Sequence, residues 1–192
     1  MRSFAKKLLG FVFLILSFPY AVLAGFGRWK PLYTFCAQLL ALGPGLPGDY
    51  LRRGFYSLTL KRFSFENRIG FGSFFAHPEA DVAPRAAIGE RCILGKVTIG
   101  ERAIIASGVQ ILSGFRQHTR DAEGKLTGEG TFEMLSIGAD TWIGAGSVVM
   151  ASVGERATVA AGSVIFRGVA ADTAVAGNPA RVVDQRPSPT AV

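Results

Sequence analysis

From Val82 onward the chain repeats every six residues, a period that fits neither a helix nor a simple alternating strand. The units run VAPRAA, IGERCI and LGKVT (one short), then IGERAI, IASGVQ and ILSGF. After an interruption come IGADTW, IGAGSV, VMAS (two short), VGERAT, VAAGSV and IFRGVA. Each unit opens on an aliphatic residue: Val82, Ile88, Leu94, Ile99, Ile105 and Ile111, then Ile137, Ile143, Val149, Val153, Val159 and Ile165. Gly or Ala usually follows. Four places after the opener stands a small or compact residue, such as Ala86, Cys92, Ala103, Thr141, Ser147 or Ser163. Three sixes close a triangular coil with flat sides, so the pattern predicts a parallel β-helix. The opener fills the prism. The Gly or Ala relieves crowding near a corner, where positive φ or close approach is needed. At a strand spacing of about 4.8 Å, the blocks 82–115 and 137–170 suffice for about four coils. Such a short solenoid needs its ends covered.

The first third has a different character. The run LLGFVFLILSFPYAVLAGFG (8–27) holds no charge, and Pro31–Gly48 is a second uncharged run. The helix-compatible part of the second run ends at Gly-Pro-Gly and is too short to span a bilayer. Three readings of the first run stand open. It is a cleaved signal peptide with Val22 and Ala24 as the small residues, a single transmembrane helix, or a re-entrant or interfacial anchor bent at Pro19. Basic residues flank both of its ends, which suits an anchor whose ends share one side. Residues 1–68 carry ten Lys/Arg against two Asp/Glu, and residues 69–192 carry eleven against twelve. The basic character therefore belongs to the front. Beside apolar runs, and without an aromatic-plus-basic RNA signature, it points to an anionic membrane rather than nucleic acid. A mean hydropathy of +0.31 agrees. DYLRRGFYSLTLKRF (49–63) has near-helical spacing. It predicts a helix that covers the first coil, or an interfacial one presenting Arg52, Arg53, Lys61 and Arg62 to lipid headgroups. The two cysteines, Cys36 and Cys92, form neither a zinc site nor a disulfide framework.

The repeat resembles that of the bacterial hexapeptide-repeat acyltransferases. WIGAGSVV (142–149), VAAGSVIFRGV (159–169) and AVAGNPARVV (174–183) carry the resemblance, which covers about residues 69–183. It is nearest to the branch acting in capsule and exopolysaccharide synthesis. It implies a mainly β fold, a left-handed parallel β-helix, here with an N-terminal helical membrane-associated segment. It also implies a homotrimer, acetyl-CoA or another acyl-CoA as co-substrate, no metal, and a sugar or lipid-linked saccharide as acceptor. The expected organisation is an anchoring segment 1–48, a covering helix 49–68, the β-helix 69–183 with a loop 113–136, and a tail 184–192.

The interruption, beginning SGFRQHTRD (113–121), is long for an unstructured connection, and such loops are usually functional. In the resembling family this loop carries a histidine base, and the matching position is His118. A neutral imidazole can take a proton from a sugar hydroxyl, whose oxygen then attacks the thioester. Asp121 or Glu133 is the expected orienting carboxylate. His77, in FFAHPEADV, is the rival base. By the same resemblance Ala145, Ala161, Phe166, Arg167 and Arg181 meet CoA, although Phe166 stands where a polar residue is commoner. Trp142 flanks the substrate or packs between subunits. A zinc enzyme on such a prism needs three histidines, and the chain has two. No Gly-rich nucleotide domain precedes the repeats. A non-catalytic, membrane-anchored scaffold stays open as the alternative. For the enzyme, the expected place is the cytoplasmic face of the bacterial inner membrane, where acyl-CoA is found.

Overall fold

The computed structural model describes residues 2–115 and 117–185. Arg116, inside the expected loop, and 186–192, most of the expected tail, lie outside the described residues.

Each aliphatic opener ends a short strand and points into a triangular prism. Strands β1 (Arg68–Ile69), β2 (Phe74–Phe75) and β3 (Asp81–Val82) make the first turn. β4 (Ala87–Ile88), β5 (Ile93–Leu94) and β6 (Val97–Ile99) make the second. β7 (Ile104–Ile105) and β8 (Gln110–Ile111) begin the third. The chain then leaves as a hairpin, β9 (His118–Arg120) and β10 (Leu126–Gly130), and returns as β11 (Leu135–Ile137). β12 (Trp142–Ile143) and β13 (Val148–Val149), then β14 (Thr158–Val159) and β15 (Val164–Ile165), supply two further turns. An antiparallel pair, β16 (Thr173–Gly177) and β17 (Ala180–Gln185), closes the end.

Three parallel sheets form the faces, and their registers stack opener on opener. Ile69, Ile88, Ile105, Ile143, Val159 and Val175 align on the first face. Phe75, Leu94, Ile111, Val149 and Ile165 align on the second. Val82, Ile99 and Ile137 align on the third, continued by bridges to Val153 and Val169. All but Val169 are buried, so the core is three aliphatic columns with one aromatic at the top. The prism has five turns rather than four. Its first turn hides from the repeat because Phe75 replaces an aliphatic opener and Val82 follows seven residues later.

The glycine after the opener serves close approach, not positive φ. A Cβ on Gly100 would sit 2.6 Å from the Gly138 carbonyl carbon, and one on Gly89 would sit 2.5 Å from the Ser107 nitrogen. Positive φ falls two residues later. Glycine takes it at Gly72, Gly108, Gly146 and Gly162, and charged residues take it at Arg85, Arg102, Asp140, Arg156 and Asp172.

The front third folds as three helices, α1 (Arg2–Leu23), α2 (Lys30–Ala41) and α3 (Gly45–Thr59). A 3-10 turn at Gly25–Gly27 links the first two. Helix α3 begins before the expected Asp49 and ends before Phe63. Its buried Arg52, Phe55, Tyr56 and Thr59 recur at helical spacing and face the first turn. The Phe75 N–H donates to the Tyr56 hydroxyl at 3.2 Å, and their rings meet edge to face at 5.1 Å. The headgroup role expected of these cations does not hold for Arg52 and Arg53, which turn inward, whereas Lys61 and Arg62 lie past the helix end and stay exposed. Arg52 is 1% exposed and donates to the carbonyls of Ile69, Leu40 and Gly43. Arg53 pairs with Asp49, while Lys61 and Arg62 pair with Asp81. Helix α1 lies against α3, where the Ser17 hydroxyl donates to Leu51 O at 2.9 Å. It continues through Pro19. Among the described residues, no helix is long and apolar enough to cross a membrane, so the single-span expectation is not supported. The uncharged part of α1, Leu8–Leu23, is shorter than the roughly 20 apolar residues a span requires.

Candidate active site

The irregularities of the repeat collect on one edge of the prism. From the first face to the second, and from the third to the next first, openers are always six residues apart. From the second face to the third the steps are unequal: Phe75 to Val82, Leu94 to Ile99, Ile111 to Ile137, Val149 to Val153, Ile165 to Val169. The three shortened steps and the long interruption therefore stack along this second edge. The aligned openers keep the three faces in register, and the path between the second and third faces varies in length around them.

The excursion is anchored at its neck. The Ser113 hydroxyl accepts from the Lys96 N–H at 2.8 Å, and the Ser113 carbonyl accepts from the Glu133 N–H at 2.9 Å. The Leu135 N–H donates to Lys96 O at 3.0 Å, which returns the chain to the sheet. Gly114 has φ +98°, and a Cβ there would meet the Glu133 side chain at 3.0 Å. Beyond the neck the segment is a hairpin rather than an irregular loop. His118 pairs across from Gly130, and Gly124 takes positive φ at the turn.

His118 stands exposed on β9. Neither expected carboxylate reaches it through a hydrogen bond among the described residues. The Asp121 carboxylate accepts from the N–H groups of Glu123 and Lys125 at 3.1 and 2.8 Å, which closes the hairpin turn. Glu133 sits at the neck beside Gly114. Among the described residues, then, His118 is presented outward without an orienting hydrogen bond.

His77 lies at the top of the same edge, half-buried beneath the excursion. Its ring is 5.1 Å from that of Phe132. Burial lowers its pKa. Glu79 opposes this, and the ammoniums of Lys96 and Lys30 reinforce it. Glu79 pairs with Lys30 at 3.4 Å and Lys96 at 3.7 Å. Burial raises the Glu79 carboxyl, but its own backbone amide and the two lysines outweigh burial and hold it below the ordinary carboxylate range. This cluster joins residues distant in the chain, and only the FFAHPE segment hinted at it.

The five expected CoA positions border one face from opposite edges. Ala145 and Ala161 stack on the first edge, linked by the Gly162 N–H donating to Ala145 O at 2.8 Å. Phe166 and Arg167 occupy the second edge and, with Arg181 of β17, line a cleft of about 330 Å³. Phe115, at the root of the excursion, meets Phe166 with ring centroids 5.9 Å apart. The Arg167 guanidinium lies 5.9 Å from the centre of the Phe166 ring. An aromatic at position 166 thus packs against the excursion, a role its sequence did not disclose. A larger cleft, about 570 Å³, lies between the start of α3 and the first face. It holds neither histidine, and the chemistry-bearing groups are on the second edge. Trp142 is half exposed on the first face beside Ile104, which is equally exposed. Cys36 and Cys92 are buried free thiols, and burial raises both.

A family model described as the hexapeptide repeat of succinyl-transferase matches residues 134–167. No curated protein matches the chain significantly. Among solved structures, a maltose O-acetyltransferase from Clostridium difficile 630 is similar at 20% identity, over 87% of this chain and 89% of that one, with a TM-score of 0.63. A hexapeptide-repeat-containing acetyltransferase from Vibrio cholerae is similar at 20% identity over 86% and 93%, with a TM-score of 0.52. A galactoside acetyltransferase in complex with coenzyme A is similar at 16% identity over 82% of each chain, with a TM-score of 0.51. At these identities the likeness is one of fold: a hexapeptide-repeat parallel β-helix shared with solved acetyltransferases.

Proposed function

We propose that the chain is an acyl-CoA-dependent O-acyltransferase with His118 as general base. The observation that carries this reading is the second edge. It holds the His118 hairpin and, through the contact of Phe115 with Phe166, the cleft of Arg167 and Arg181. Two guanidiniums at a cleft suit the phosphates of CoA. The solved structures of similar fold include one with coenzyme A, which supports the same donor. In the reaction, His118 takes the proton of an acceptor hydroxyl. The oxygen attacks the thioester carbonyl, the carbon–sulfur bond breaks, and the CoA thiolate leaves with the proton from the imidazolium. No covalent enzyme intermediate is needed.

Among the described residues no hydrogen bond orients His118, and the working site forms between subunits of a homotrimer. The half-exposed Ile104 and Trp142 give a neighbouring copy an apolar surface to cover. The acceptor is a sugar hydroxyl in exopolysaccharide or lipid-linked saccharide synthesis, and the coil is left-handed as in the resembling family. Product masses from acetyl-CoA with a panel of free and lipid-linked sugars test the reading. His118→Ala should lower turnover by about 10²–10⁴. A His118→Ala enzyme with undiminished transfer sinks the mechanism. Absence of transfer by the parent protein with every acyl-CoA favours the scaffold alternative.

A further inference from the structure

We propose that the helical module docks in one leaflet of an anionic bilayer and holds the second edge against the headgroups. The acyl acceptor would then be membrane-resident. The last clause rests on the acyl-transfer reading; the docking does not.

The module is apolar on both sides. The inner side of α1 packs on α3, with the Phe13 and Tyr50 rings 5.3 Å apart and Ser17 bonded to Leu51. Its outer side is equally apolar: Phe11, Ile15 and Phe18 are 60%, 56% and 50% exposed. Helix α2 continues the surface with Phe35 at 56% exposed, and Leu42 follows at 67%. Patches this extensive are unusual on a water-facing surface. Phe18 reaches Phe26 with ring centroids 5.9 Å apart, and Trp29, 58% exposed, stands over Gly25. The apolar surface therefore runs through the turn between α1 and α2 and on along α2, with Lys30 beside that turn. Lys30 pairs with Glu79, two residues from His77 on the second edge.

Charge selects the occupant. Residues 1–48 hold five Lys/Arg and no Asp/Glu. An anionic bilayer complements that sign, whereas a second copy would oppose one net-positive segment to another. The depth follows from the packing. One side of α1 is held by α3, whose Asp49 and Arg53 are charged, so α1 enters only as far as its outer side allows.

Flotation of the full chain with vesicles tests the docking, with Trp29 as reporter in a Trp142→Phe background. Phosphatidylglycerol vesicles should carry the protein, and phosphatidylcholine vesicles should carry it at least about tenfold less. A triple change, Phe11→Ser with Ile15→Ser and Phe18→Ser, should reduce partition by more than about tenfold. Brominated lipid should quench Trp29 emission. Three results would overturn the proposal: no flotation with phosphatidylglycerol, flotation retained by the triple variant, or blue-shifted Trp29 emission that brominated lipid leaves unquenched. The last would mark a second copy or another protein over the surface. These measurements use neither acyl donor nor acceptor, so they fail only with the docking, and the His118→Ala assay fails only with the acyl-transfer reading.

Discussion

At the residue scale, two neighbouring positions of the repeat answer different constraints. The residue after the opener is small because the next coil's backbone lies against it. Gly100→Ala should therefore destabilise the fold by about 1–3 kcal/mol, as overpacking does, measured by chemical denaturation. The third residue after the opener takes positive φ yet is often charged. Arg102 has φ +57° and pairs with Asp140 at 2.6 and 2.7 Å on the surface. Arg102→Gly removes a weak surface pair and relieves the backbone, so its chemical-denaturation midpoint should stay close to the parent's. His77 gives a pH signature. Burial lowers its folded pKa below the ordinary 6.5. Its contribution is complete above the unfolded value and is lost as the pH falls through the lower folded value. The thermal midpoint should drop on acidification below about pH 6.5, and His77→Gln should flatten that part of the profile. An equally steep profile in the variant would assign the pH dependence elsewhere.

At the element scale, α3 is the hinge between an apolar module and the prism. One buried guanidinium ties the end of α2 to β1 through carbonyls of Leu40, Gly43 and Ile69. Arg52→Met would leave these acceptors without their donor. A loss of about 2–4 kcal/mol is expected in denaturant unfolding. The sequence placed a helix here from its spacing, but it offered Arg52 only to lipid headgroups. Burial of a cation depends on which backbone groups converge on it, and these come from two segments far apart in the chain. The hairpin of β9 and β10 was similarly illegible. Its glycines and polar residues read as irregular, while the structure uses Gly124 for the turn and Asp121 to cap it.

At the scale of the whole molecule, the prism is a stack whose turns contact mainly their neighbours. Steps along the second edge already vary, so deleting residues 115–134 would leave the six-residue spacing from Ile111 to Ile137 that other edges use. The shortened chain should fold with a thermal midpoint within about 5 °C of the parent and lose acyl transfer. Failure to fold would make the excursion a structural element rather than a functional one. The sequence by itself determined the prism, because a buried opener every six residues is a local pattern that each coil repeats. It also marked the interruption and His118. Only the tertiary structure decided that every irregularity falls on one edge. It alone placed His77 beneath the same excursion and Phe166 against Phe115, and turned the front third's apolar residues outward. Those facts depend on contacts between segments far apart in the chain, and no periodicity encodes them.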